Sequence, residues 1–151
     1  MYFTMVYGLL DKYSRRLQIV QAGHPVPVLL RRGKPPIALG DGGFPVGMLP
    51  DMSYDLLEYT MEQGDRLFLC SDGITECANQ AQEQFGFPRF IDFLDRHRYH
   101  SLDALLKAME LTIRSWGGSS DFTDDVSLLA LELDSLPGDD GDRATLFGGS
   151  I

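Results

Sequence analysis

Short apolar segments separated by turn-forming residues dominate the first half of the chain. Each segment is rich in Val, Ile, Leu, Tyr, Phe or Thr, and the breaks between segments contain Gly, Pro, Asp and other charged residues. This alternation is typical of β-strands joined by turns. Together with one similar segment near the C-terminus, it predicts strands at residues 2–10, 16–22, 26–32, 54–61, 65–72 and 126–133.

The connections between these strands differ in character. The spacing of the first three strands predicts antiparallel hairpins, and Gly64 can supply the positive φ of a tight turn between the fourth and the fifth. Residues 40–47 contain four glycines and one proline, a composition that neither a helix nor a central strand accepts. We predict a loop there. The strand at 65–72 shows little polar alternation, so both of its faces should be covered.

Two segments in the second half, residues 87–97 and 101–116, have the apolar spacing of helices. Ser101 is the predicted N-cap of the second helix, with Asp103 in its first turn. The apolar face of that helix consists of Leu102, Leu105, Leu106, Met109, Ile113 and Trp116. Such a stripe is far more often a helix packed on a sheet than a cofactor-binding surface, so we assign it to the core.

The composition fits one domain followed by a polar tail. Of 151 residues, 44% are hydrophobic and 11% are aromatic, which is enough for a sizeable core. Residues 134–151 are rich in Gly and Asp and contain few apolar side chains. We therefore expect the domain to occupy residues 1–133 and the remainder to be a flexible tail.

The charge of the chain bears on its possible partners. Twenty-two acidic and 13 basic residues give a formal net charge of −9. Nucleic-acid binding requires Lys and Arg to neutralise phosphates, so a nucleic-acid partner is not expected. Solubility is the simplest explanation of the excess charge, part of which lies in the tail.

Cysteine usage and apolar run length bear on the compartment. Cys70 and Cys77 have no second pair with which to form a disulfide framework or a zinc site, and we expect both to be reduced thiols. The longest apolar stretches, such as residues 26–30, are far too short to span a membrane, and the N-terminus lacks the pattern of a signal peptide. A cytoplasmic protein without a membrane partner is the expectation.

Three carboxylates flank two of the predicted buried strands. Asp72 follows the buried part of its strand, residues 66–70, whereas Asp124 and Asp125 precede the strand at 126–133. If those strands are antiparallel neighbours, the carboxylates meet, and their repulsion is relieved by a cation between them. The nearby loops offer oxygen ligands rather than His or Cys, which favours Mg²⁺ or Mn²⁺ over zinc.

A plainer interpretation of these carboxylates is available. Asp and Gly dominate turns for reasons unrelated to metals, so the Asp72-Gly73 and Asp124-Asp125 pairs can be ordinary turn residues. Either motif taken alone fits that interpretation better. Their joint placement at the ends of two buried strands favours the metal site.

Five ordered motifs give the chain a resemblance to a known family. They are YGLLD (7–11), QAGHPVPVLL (21–30), FPVGMLPD (44–51), SDGITE (71–76) and TDDVSLLAL (123–131). In this order and spacing they resemble bacterial type 2C, metal-dependent protein serine/threonine phosphatases of the SpoIIE-like branch. The resemblance covers about residues 2–133.

The resemblance implies a fold and a metal centre. The implied fold is α+β, an αββα sandwich of two antiparallel sheets flanked by helices, with a binuclear Mn²⁺ or Mg²⁺ site at one end. Asp72 and Asp124 would be metal ligands, and Asp125 would be the variable neighbour of Asp124. We carry all three forward as candidate metal ligands, with no separate catalytic residue assigned.

One departure from the family pattern limits the expected activity. The family's domain begins with a GD-x-x-GHG motif whose Asp bridges both metal ions, and these 151 residues contain no such motif. The chain therefore resembles the C-terminal two-thirds of the domain, truncated at its N-terminus, with Met1 opening inside a strand. Without the bridging carboxylate we expect one weakly held ion at most and little activity.

His24 is a further candidate, since it lies between Gly23 and Pro25 at a predicted strand end. It could protonate a leaving serine oxygen as a general acid. Alternatively it orients the loop through a ring hydrogen bond, and we favour that structural role. The family pattern does not make this position a metal ligand.

Two functions remain open. The first is hydrolysis of phosphoserine or phosphothreonine on a regulatory protein, such as an anti-sigma-factor antagonist, under the control of an upstream sensor or receiver domain. The second is a non-catalytic phosphatase-like module that binds a regulatory protein. Intact SDG and TDD motifs favour the first function, and the absent GD-x-x-GHG motif favours the second.

Overall fold

The computed structural model describes residues 1–118 and 125–134, together with the backbone of residues 144–150. Its strands are β1 (Met5–Asp11), β2 (Arg16–Ala22), β3 (Val28–Leu30), β4 (Ile37–Ala38), β5 (Leu56–Thr60), β6 (Arg66–Cys70), β7 (Ser127–Leu133) and β8 (Ala144–Ser150). Its helices are α1 (Asp72–Thr75), α2 (Gly86–Arg96) and α3 (Leu102–Gly117). The six predicted strands and two predicted helices are all present, whereas β4, β8 and α1 were not predicted.

Two antiparallel sheets form the centre of the molecule, which confirms the α+β class. One sheet has three strands in the order β1-β2-β5, and the other has five in the order β4-β3-β6-β7-β8. Only part of the hairpin prediction is correct. β1 and β2 form the expected hairpin, with Met5 opposite Ala22, but β2 and β3 lie in different sheets, as do β5 and β6.

The chain changes sheet between β2 and β3 because the connecting segment cannot continue a ladder. Gly23 has a φ of +70°, and Pro25 and Pro27 lack the backbone N–H that a paired strand donates. Between β5 and β6, Gly64 has the predicted positive φ, at +83°. Its N–H donates to the carbonyl oxygen of Leu133 at 2.7 Å, which ties this turn to the five-stranded sheet rather than closing a hairpin.

The two faces of β6 belong to different hydrophobic clusters. Phe68 and Cys70 pack with the helices, whereas Leu67 and Leu69 face the cluster between the two sheets. This confirms that both faces of the strand are covered. The layers are therefore helices, five-stranded sheet and three-stranded sheet, and in the described part of the chain both long helices pack on the five-stranded sheet.

Helix α3 has the cap and the buried face that the sequence predicts. The Ser101 hydroxyl accepts a hydrogen bond from the N–H of Ala104 at 3.3 Å, and Gly118 ends the helix with a φ of +67°. Of the predicted stripe, four residues are buried and two are half-buried. The buried ones are Leu102, Leu105, Met109 and Ile113, and the half-buried ones are Leu106 and Trp116.

The segment predicted as a tail contains β8, which pairs antiparallel with β7 from Ser127 opposite Ser150 to Leu133 opposite Ala144. Without β8, one edge of β7 would present a row of unpaired N–H and C=O groups, and β8 satisfies them. A count of apolar side chains does not register this backbone contribution. None of the helices in the described part of the chain is both long and apolar enough to cross a bilayer.

Candidate metal centre

The C-terminal end of β6 and the N-terminal end of β7 lie side by side. Cys70 is opposite Leu128 in the antiparallel register, so the residues after β6 meet the residues before β7. Ser71 fastens this junction: its hydroxyl donates to the carbonyl oxygen of Asp125 at 3.0 Å and accepts from the N–H of Ser127 at 2.9 Å. The two strands are thus antiparallel neighbours, which is the condition that the metal-site interpretation requires.

Gly73 allows the two segments to approach closely. A Cβ at this position would lie 2.4 Å from the carbonyl oxygen of Asp125, a separation that real Cβ atoms do not adopt. Glycine is therefore needed for backbone proximity rather than for an unusual φ. Asp72, immediately before it, is the exposed first residue of α1. The backbone at Asp72 and Asp125 thus converges at one rim of the five-stranded sheet, and Asp124 lies outside the described residues.

The surroundings of the Asp72 carboxylate would allow it to coordinate a cation. Within the described ranges no hydrogen bond or ion pair engages this carboxylate, and its charge acts on the neighbouring His24 and Cys70. Burial lowers the pKa of His24, and the Asp72 carboxylate and a hydrogen bond to the backbone of Cys70 oppose that shift. Burial, aided by the Asp72 charge, raises the pKa of Cys70 to about 12. Cys70 is thus a protonated core thiol.

The donor chemistry is that of a hard divalent ion, but the described residues supply only part of a site. Asp72 and Asp125 offer carboxylate oxygens, which suit Mg²⁺ and Mn²⁺. Among residues 1–118 and 125–134 there is no cluster of three or more His, Cys, Asp and Glu side chains that could hold a metal ion. The two carboxylates present have the donor atoms that a divalent ion prefers, and the third candidate ligand, Asp124, lies outside the described residues.

His24 is half-buried beside this rim. Its Nδ1 lies 3.5 Å from the Thr4 hydroxyl, and the preceding Gly23 donates its N–H to the carbonyl oxygen of Gly42 at 2.7 Å. The glycine-rich loop is thereby held against the strand end that carries His24. Positive φ angles at Gly40, Gly42, Gly43 and Gly47 confirm that backbone geometry shapes residues 40–47.

Ser71 is a residue of the candidate site whose contacts the sequence did not predict. Nothing in the local pattern distinguishes it from an ordinary turn serine between a strand and an aspartate. Its two hydrogen bonds cross 54 and 56 residues of sequence and exist only because β6 and β7 pair in this register. The same register accounts for Gly73, whose importance depends on the carbonyl that faces it.

Residues 1–134 match the family model described as stage II sporulation protein E (SpoIIE). The chain belongs to the SpoIIE family. A curated relative, protein IcfG of Synechocystis sp. (strain ATCC 27184 / PCC 6803 / Kazusa), is 25% identical over 131 residues, covering 87% of this chain and 20% of IcfG. The chain thus spans about a fifth of that relative's length.

Solved structures share the fold of this SpoIIE-family chain. The SiaA-PP2C domain of Pseudomonas aeruginosa superposes with a TM-score of 0.68 at 24% identity, covering 80% of this chain and 48% of that one. The Mn-presoaked phosphatase domain of SpoIIE from Bacillus subtilis gives a TM-score of 0.67 at 13% identity, covering 87% and 56%. The two-sheet architecture is therefore that of PP2C phosphatase domains, a metal-dependent family.

Proposed function

We propose that this chain contributes the Asp72 end of a PP2C-type phosphatase site that hydrolyses phosphoserine or phosphothreonine on a regulatory protein, with Mn²⁺ or Mg²⁺ as cofactor. The observation that carries the proposal is the junction of β6 and β7, where Ser71 and Gly73 bring the backbone of Asp72 against Asp125. Within the described ranges no Lys or Arg forms an ion pair with the Asp72 carboxylate at the rim of the sheet, which suits it to holding a divalent ion.

In this proposal Asp72, Asp124 and Asp125 are the candidate ligands. A bound divalent ion would lower the pKa of a coordinated water and neutralise developing charge on the phosphoryl oxygens. Asp72 would hold the ion at the start of α1, and Ser71 would keep that carboxylate in register with the residues preceding β7. His24, held by its loop, would border the site as an orienting group.

The proposed activity of these 151 residues without a further segment is weak. No GD-x-x-GHG motif occurs in them. The carboxylate that bridges two ions in the family that the chain resembles therefore has no counterpart among these 151 residues. We propose that substrate recognition involves a phosphorylated regulator, such as an anti-sigma-factor antagonist, and that an upstream sensor or receiver domain controls the activity.

A non-catalytic role is the second candidate. It is favoured by the lack of a three-ligand cluster among the described residues and by the missing motif. A module of this kind would bind a regulatory protein through the phosphatase-like fold without turnover.

The deciding experiment compares Asp72→Asn with Asp103→Asn, which removes an exposed carboxylate from the first turn of α3. Mn²⁺ binding is measured by calorimetry, and hydrolysis of p-nitrophenyl phosphate and of a phosphoserine peptide is followed with and without Mn²⁺. We expect weak Mn²⁺ binding to the 151-residue chain, lost in Asp72→Asn and retained in Asp103→Asn.

Turnover is tested in a longer chain that includes a GD-x-x-GHG segment. Activity there should require Mn²⁺ and be abolished by Asp72→Asn, whereas the unfolding free energy should be unchanged or higher because a repelling charge is removed. Metal-independent partner binding that survives Asp72→Asn, with no turnover at any chain length, would instead establish the binding module.

A further inference from the structure

Four arginines line one open cavity of about 240 Å³ at the end of the five-stranded sheet remote from Asp72. Register places the cavity there: Leu30 is opposite Arg66, and Arg66 is opposite Glu132, where β6 begins. The polar lining consists of Arg31, Arg32, Arg66, Arg98, Tyr99 and Glu132. In a chain with a formal charge of −9 and only 13 basic residues, this is a marked local concentration of cations.

Three of the guanidinium groups are held rigidly by backbone carbonyl oxygens. Arg66 Nη1 donates to the carbonyl oxygens of Arg98 and His100 at 2.9 and 2.6 Å. Arg98 Nη1 donates to those of Arg31 and Lys34 at 3.4 and 2.8 Å, and Arg31 Nη2 donates to that of Thr60 at 2.8 Å. Fixing these planar groups in advance removes much of the entropy cost of binding a ligand to them.

Four carboxylates pair with those three arginines and balance the charge of all four, so Arg32 is distinguished by its lack of a carboxylate partner among the described residues. Arg31 pairs with Asp65 and Glu62, Arg66 with Glu132, and Arg98 with Asp95.

Arg32 is exposed and makes no hydrogen bond or ion pair with the residues that the structure describes. Its five N–H donors are therefore available on the cavity wall. Arg66 lines the same cavity, and no acceptor for its Nε–H is found in the described ranges.

We infer that this cavity binds a phosphate oxyanion, either free or as a phosphomonoester group, with Arg32 as the principal ligand. A guanidinium offers paired donors that match phosphate oxygens, and Tyr99, 79% exposed, adds a hydroxyl at the same wall. Arg66 begins β6 and Asp72 lies two residues beyond its end, and the strand alone spans about 13 Å at the usual rise per residue. The inferred site is thus separate from the candidate metal centre and needs no metal.

The test uses the 151-residue protein in EDTA, so that its outcome is independent of the metal centre. Inorganic phosphate is titrated at constant ionic strength, with chloride as the balancing anion, while arginine Nε–Hε resonances are followed by ¹H–¹⁵N NMR. We expect saturable shifts at Arg32 and Arg66. Arg32→Ala should weaken phosphate binding about tenfold. Arg32→Lys should weaken it less, because lysine keeps the positive charge but lacks the paired N–H donors of the guanidinium group.

The matched control is Arg96→Ala, which removes a 73% exposed side chain that is paired with Asp92 outside the cavity. It should leave the affinity unchanged. A parallel titration with O-phosphoserine distinguishes the sources: comparable or tighter binding assigns a phosphomonoester, and binding of inorganic phosphate alone assigns the free ion. Non-saturable shifts, or equal losses in Arg32→Ala and Arg96→Ala with both variants folded by circular dichroism, would overturn the inference.

Discussion

The side chain of Ser71 and the backbone of Ser127 join the ends of β6 and β7, with the N–H of Ser127 donating to the Ser71 hydroxyl at 2.9 Å. The N–H of Ser71 in turn donates to the carbonyl oxygen of Ser127 at 2.9 Å. These two hydrogen bonds between Ser71 and Ser127 hold together the end of a strand pair that would otherwise fray. The candidate metal centre is built on this closed end.

Replacing Ser71 by Ala should loosen that end. The change removes the acceptor of the Ser127 N–H and the donor to the Asp125 carbonyl oxygen, and we expect a loss of about 1 kcal/mol in the free energy of unfolding. Urea denaturation measures it, with Ser115→Ala on the exposed side of α3 as the control. Equal stability of the two variants would show that solvent replaces both hydrogen bonds of Ser71.

Gly73→Ala should be more costly because backbone lies in the way. The added Cβ would meet the Asp125 carbonyl oxygen at 2.4 Å, and relieving such overpacking typically costs about 1–3 kcal/mol. Gly8→Ala is the control, since its Cβ would find its nearest neighbour at 3.8 Å. Thermal unfolding should separate the two variants, and Mn²⁺ binding should fall only in Gly73→Ala. An unperturbed Gly73→Ala protein would contradict the close approach.

The apolar face of α3 should behave as core. Ile113 is fully buried, whereas Leu111 on the same helix is 60% exposed. We expect Ile113→Ala to lower the free energy of unfolding by about 2–5 kcal/mol and Leu111→Ala to change it by less than about 0.5 kcal/mol. Denaturant titration of both variants checks this difference, which would vanish if the helix were detached from the sheet in solution.

The two thiols should differ in reactivity. Cys70 is 2% exposed and its pKa is raised to about 12, so almost no thiolate exists at pH 8. Cys77 is half-buried, and burial also raises its pKa. With Ellman's reagent at pH 8 we expect one slowly reacting thiol in the native protein and two in urea. In Cys77→Ser the native reaction should disappear; rapid native labelling of Cys70 would contradict its burial.

Local patterns were sufficient for six of the eight described strands, for the two long helices and for the buried face of α3. Period-two and helical spacing, a serine cap and the glycine-rich loop act within a few residues, which is why α3, its stripe and the loop at 40–47 were predicted correctly. The placement of Asp72 and Asp125 at two strand ends was visible in the same way. Ordered motifs added the family, because five of them in sequence constrain far more than one.

Pairing between distant segments could not be predicted from those patterns. Whether β3 follows β2 in one sheet or crosses to another, whether residues 144–150 add a strand to β7, and which carbonyl faces Gly73 all depend on contacts across many residues. The cavity formed by Arg32, Arg66 and Arg98 has the same origin, since these residues approach one another only through the β3–β6 register and the segment after α2. Such contacts are decided by the packing of whole layers, where the backbone groups and side chains of remote segments must be satisfied together.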